Sequence, residues 1–184
     1  MKNLFIYILT TSLCIAQLSD ADFTAFRDNQ AHFSFHYPKS WAQVDASHSA
    51  TRFKAVSQDG YGREDISINV IPNDQAKGKA PEAHFKGIKA NPNIVLSLLK
   101  NSHPDARIID YGETTLSNQP AYYIITAYTH SAVGNKVYIR QLQYITGRDG
   151  LNYTITMRST SGNWEQDFRL FQILATRFVL HPTY

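Results

Sequence analysis

Seven histidines stand among the 184 residues of this chain. Two of them fall four positions apart in a run that alternates like a strand: His32-Phe33-Ser34-Phe35-His36-Tyr37. His32, Ser34 and His36 share one face, and Phe33, Phe35 and Tyr37 the other. Two ligands of one zinc each come within about 2 Å of the metal. Four strand residues span about 13 Å, so this pair cannot chelate without a bulge and reads as polar-face histidines. His84 stands with Glu82 and Lys86 on a polar helix side and reads as surface. Ser102-His103-Pro104-Asp105 sets nucleophile, base and orienter types side by side. A working triad brings such groups together from separate elements, so this run reads as a loop after a helix. Ser97-Leu98-Leu99-Lys100 fits S-x-x-K, but the S-D-N and K-T-G partners are missing. H-E-x-x-H, G-x-S-x-G, Walker and G-x-G-x-x-G patterns are all absent from the sequence. No catalytic, cofactor-binding or metal-ligating residue is assigned, and no cofactor is implied.

One surface is a candidate for binding. Tyr138, Arg140, Leu142 and Tyr144 alternate onto one face of a strand, and Tyr128 lies on the strand before it. Tyrosine and arginine together are the composition of interaction hot spots. The alternative is that helices cover this face and the tyrosines fill core with their hydroxyls at the edge.

The elements that position these residues read clearly. Residues 17–30 are polar with isolated Phe23 and Phe26, a short helix or an extended lead-in. Strands are expected at 32–37, 51–57, 65–71, 106–112, 120–130, 136–146 and 151–159. The strand after Pro120 carries apolar groups on both faces, which places it inside a sheet covered on both sides. Asp59-Gly60 and Asp149-Gly150 are hairpin turns. Pro81 and Asn91-Pro92 are helix-start signals, so a helical arm broken near Asn91 spans 80–101. Trp164, Phe168, Phe171, Leu174 and Phe178 fall at helical spacing. Asn163 with Gln166 resembles a capping box, with Ser161 as a rival cap. The Asn152-Tyr153-Thr154 sequon lies inside a strand and is expected to stay unused. Strands in runs with two helical segments argue α+β: a single curved antiparallel sheet with helices packed on it.

Apolar residues make up 43% and charged residues 18%, enough for one core and too balanced for a disordered chain. A formal charge of +3 is too small for a nucleic-acid face. Lys2 and the apolar run from Leu4 precede small residues at the end of Cys14-Ile15-Ala16, the layout of a secretory signal cleaved after Ala16, or alternatively after Ala21. The run is too short to span a bilayer, and no transmembrane segment is expected in the mature chain. Cys14 is the only cysteine. Leu13 before it fits a lipidation signal poorly, and cleavage after Ala16 leaves a chain without thiols.

The order of these pieces resembles the PsbP-like family, whose members include the extrinsic oxygen-evolving subunit of photosystem II, a nuclear Ran-GTPase-binding factor and bacterial exported proteins such as DcrB. Phe33-Ser34-Phe35-His36-Tyr37-Pro38 with Trp41 looks like the family's opening strand. Leu116 to Tyr123 looks like its turn into a central strand, and Tyr144 to Thr156 like its last hairpin. The segment through Phe168, Ile173 and Phe178 looks like its closing helix and short strand. The resemblance covers about 31–180 and implies an αβα sandwich over 31–184. It also implies a non-enzymatic exported binding or accessory protein of the bacterial envelope, in the periplasm or outside the cell, with a protein or envelope component as partner. No functional residue carries over. Two other readings stand beside it: a hydrolase assembled from distant His, Asp and Ser residues, and a metal-dependent scaffold.

Overall fold

The protein is described by a computed structural model over residues 19–46, 48–58, 64–132 and 135–182. The export segment, Cys14 and the Asp59-Gly60 turn lie outside the described residues. Strands account for 51% of the described residues and helices for 23%.

The polar lead-in is extended. A short 3-10 turn at Asp20–Asp22 enters β1 (Phe23–Asp28). His32, at φ 50°, turns the chain into β2 (Phe33–Pro38), which pairs antiparallel with β1. Next come β3 (Trp41–Gln43), β4 (Thr51–Ser57) and β5 (Asp65–Pro72). The helical arm follows: a 3-10 turn at Pro81–His84, then α1 (Lys86–Ala90) and α2 (Asn93–Lys100). The break falls at Asn91, whose side-chain oxygen accepts the N–H of Asn93 at 3.2 Å. The long strands β6 (Arg107–Leu116), β7 (Gln119–Ala132), β8 (Asn135–Arg148) and β9 (Leu151–Thr160) precede α3 (Trp164–Thr176) and β10 (Val179–Leu180). Two-residue turns at Ser117-Asn118 and Asp149-Gly150 all have positive φ, the backbone that matches strand twist in a hairpin.

The expected single sheet is instead two. β3-β4-β5-β9-β8-β7-β6 form a seven-stranded antiparallel sheet, and β1-β2-β10 a separate three-stranded one. The physical reason lies in β2. Its three inward rings, Phe33, Phe35 and Tyr37, need an apolar layer opposite them, and a strand lying across a sheet finds one where a strand beside it does not. Phe53 of the large sheet supplies it, 5.6 Å from Phe35 and 4.9 Å from Tyr37 between ring centroids. Phe33 stacks on Phe178 at 5.6 Å, and both meet Tyr153 edge-on. α3 completes this layer with Trp164, Phe171 and Leu174, all buried. The expected capping box does not form. Asn163 occupies the cap position of α3 but donates its side-chain amide to Glu64 at 3.3 Å.

The opposite face of the large sheet is half covered by the helical arm. Phe85 packs with Tyr122, Ile124 and Ile145, and α2 brings Leu96 and Leu99 onto Tyr128 and Ile139. β7 is therefore buried from both sides, as its sequence required. The edge strand β6 is blunted by a bulge between Ile108 and Asp110 and by the charges of Asp110 and Glu113.

Candidate functional site

β7 outruns its neighbour, and that mismatch makes the site. The first residue of β6, Arg107, pairs with Ala127, whereas β7 runs on to Ala132. Beyond Ala127 the outer edge of β7 has no strand beside it. The loop from α2 to β6 fills the gap with side chains. Asp105 accepts the backbone N–H of Thr129 on both carboxylate oxygens, at 3.0 and 3.2 Å. His103 meets the Thr129 carbonyl at 3.3 Å through Nδ1. A carbonyl only accepts, so Nδ1 carries a proton and donates it. The ring of His103 lies on Tyr128, with centroids 4.1 Å apart and planes 26° apart.

Between this loop and the ends of β7 and β8 an open cleft of about 650 Å³ remains, lined on the strand side by Thr129, His130, Ser131, Lys136 and Tyr138. The His130 ring stands 5.8 Å from that of His103. Thr129 holds the Asp105 carboxyl below the usual carboxylate range through hydrogen bonds to its side chain and backbone, so Asp105 is a fixed anion at neutral pH. Lys136, by contrast, lies exposed at the rim. The cleft can hold a polar or aromatic group against Tyr138 and the imidazoles, with an ammonium at its lip.

The four predicted surface residues separate here. Tyr128 pairs with Ile139 and Thr129 with Tyr138, so Tyr128 points to the helical-arm side, while Tyr138, Arg140 and Tyr144 point to the α3 side. The one-residue offset flips the face. Tyr128 is buried, its hydroxyl 3.4 Å from Gln141 Oε1, and burial raises its pKa. Tyr144 packs half-buried against the main core, and burial raises its pKa too. Arg140 lies 5.7 Å over the Trp164 ring and 3.9 Å from Glu165. Tyr138 alone is open to solvent, at 64% exposure. The cleft around it was partly legible: the run 102–105 was visible as a loop of chemical residue types. Its meeting with His130 and Lys136 depends on where β6 stops, which no local pattern reveals.

The remaining imidazole hydrogen bonds among the described residues run to uncharged groups: His48 Nδ1 accepts the backbone N–H of Ala50 at 3.1 Å, His84 Nδ1 meets Asn152 Oδ1 at 2.6 Å, and His181 Nε2 meets Ser34 Oγ at 2.9 Å. Among the described residues no cluster of three or more His, Cys, Asp or Glu side chains is placed to hold a metal.

The two-layered antiparallel sheet, with α3 beside the small sheet on one face and a broken helical arm on the other, defines the class of PsbP-like α+β proteins. The PsbP family profile matches residues 21–180, and the chain belongs to that family. Solved structures are similar in the same way. The cyanobacterial PsbP (CyanoP) of Synechocystis aligns with a TM-score of 0.64 at 17% identity, over 90% of this chain and 96% of that one. A protein of Bacteroides thetaiotaomicron gives 0.59 at 12% identity, over 88% of this chain and 49% of that one. LpqN, involved in cell envelope biogenesis of Mycobacterium tuberculosis, gives 0.55 at 12% identity, over 87% and 86%. No curated protein matches the sequence. No helix among the described residues is long and apolar enough to cross a membrane.

Proposed function

We propose that this chain is an exported, non-enzymatic accessory protein of the bacterial envelope that binds a protein partner through the Tyr138 rim of the cleft. The observation that carries the reading is the contrast along one strand face. Arg140 and Tyr144 turn toward α3 and the core, while Tyr138 stands free beside the cleft. A large ring left in water costs hydration free energy, and tyrosine is among the residue types enriched at the anchors of binding surfaces. The secretory layout of the first sixteen residues and the involvement of LpqN in cell envelope biogenesis support the location.

The test is a photo-crosslinker placed at position 138 in the full chain, expressed in its native envelope, with position 179 as an exposed control. A discrete adduct from position 138 alone, lost in Lys136→Glu, is the expected result. Equal labelling from both positions would remove the Tyr138 rim as the binding surface.

A further inference from the structure

A second cavity opens at the far end of the small sheet. It holds about 380 Å³ and is lined by Arg27 and Asp28 of β1, Asn29 and His32 of the following turn, and His181 and Pro182 beyond β10. Ser34 sits in the middle strand beneath it, cross-strand from Arg27 on one side and Val179 on the other. Its hydroxyl meets His181 Nε2 at 2.9 Å, and the backbone N–H of His181 donates to the His32 carbonyl at 2.8 Å. These bonds set the two imidazole-bearing segments side by side.

The charges around this cavity are unbalanced. Asp28 is already spent: it accepts the N–H groups of Gln30 and Ala31, each at 2.9 Å, and pairs with Arg52 at 2.7 Å. Arg148 approaches from the β8–β9 turn, donating to the Leu180 carbonyl at 3.2 Å with Asp149 at 3.6 Å from its Nε. Arg27 uses Nε on the neutral Asn29 side chain at 2.8 Å. Among the described residues no carboxylate pairs with Arg27. His181 registers the imbalance: burial first, then Arg27, Arg148 and His32, lower its pKa from the ordinary histidine value.

We infer that this cavity is an oxyanion site, in which the Arg27 guanidinium takes a phosphate-class group and the imidazoles of His32 and His181 add N–H donors. A guanidinium offers planar, paired donors that match tetrahedral oxyanions. The cavity is roomy enough for a phosphate carried on a small organic stem. A bound dianion would supply the counter-charge that His181 lacks, so the ring protonates more readily in the complex. Binding therefore strengthens as pH falls toward the lowered His181 value.

The experiment follows histidine ring protons by NMR in the full chain, with sulfate as the first probe because its charge is constant over this pH range. Inorganic phosphate and glycerol 3-phosphate are parallel arms that separate a free anion from an organic monoester, and chloride at equal ionic strength is the control. Saturable shifts at His181 are expected with sulfate and not with chloride, tighter at pH 6 than at pH 8. Arg27→Gln weakens binding about tenfold or more, as loss of a charge-assisted hydrogen bond does. His181→Gln, which can still bond Ser34, keeps binding at pH 8 and loses part of the gain at pH 6, and His32→Gln with it removes the rest. No saturable shift with any oxyanion, or one that Arg27→Gln leaves unchanged, would overturn the site.

Discussion

Asp105 and Thr129 form a two-oxygen clamp on a single backbone N–H, at 3.0 and 3.2 Å, at the point where β6 no longer reaches β7. A loop carboxylate thus does the work of a missing strand. Asp105→Ala is expected to speed hydrogen exchange of the Thr129 amide by at least tenfold and to leave Ile124, deep in the ladder, unaffected. The lowered carboxyl pKa fixes the pH dependence. The clamp's contribution is complete above the ordinary Asp value near 4 and is lost as pH falls through the depressed value. Loss of Thr129 protection already at pH 6 would contradict this.

Tyr138 and Tyr128 are predicted to differ sharply in what they do for stability. Tyr138→Ala removes an exposed ring and should shift unfolding free energy by less than about 0.5 kcal/mol. Tyr128→Ala empties a buried site under α2 and His103 and should cost about 3 kcal/mol. Urea denaturation of both variants measures the difference. A large loss from Tyr138→Ala would make it a core residue.

Gly147 has no room for a side chain. A Cβ there would lie 1.9 Å from the His84 ring, which is buried and held by Asn152. Gly147→Ala is expected to destabilise by about 1–3 kcal/mol, the usual cost of overpacking. His84→Ala in the same chain should recover part of that loss. Simple additivity of the two single changes in thermal or urea unfolding would show that the ring is not the obstacle.

Tyr153 ties the two sheets together by donating its hydroxyl to the Ala31 carbonyl at 2.9 Å. Tyr153→Phe leaves that carbonyl without its partner and should cost about 1–2 kcal/mol. Burial pushes the Tyr153 phenol up to about 12. The folded chain therefore resists ionisation that the unfolded chain accepts near 10. This contribution is whole below pH 10 and drains away between about 10 and 12. Unfolding followed from pH 9 to 12 should show a smaller alkaline loss in Tyr153→Phe than in the parent.

Part of this molecule was readable from local pattern because the pattern is made by local physics. β4 was expected at 51–57 and runs Thr51–Ser57, and α2 starts after the Asn91-Pro92 signal. Side-chain alternation, Asp-Gly turns and a proline at a helix start all act within a few residues. The capping box at Asn163 misled for the opposite reason: Glu64, ninety-nine positions away, took the side chain.

What the sequence alone determined is seven of the ten strands, the two helical segments, the family to which they belong and the alternation that hides Phe33, Phe35 and Tyr37 from water. The short strands β1 and β3 took shape only by pairing with β2 and β4. The tertiary structure decided which strands share a sheet. It also decided that Tyr128 and Tyr138 face opposite ways, and that His103, Asp105 and Tyr138 border one cleft. Strand register and strand length are settled by pairing between distant segments, and a single-residue offset reverses a face. The chemistry-bearing groups became neighbours only when the ladder beside β7 stopped short.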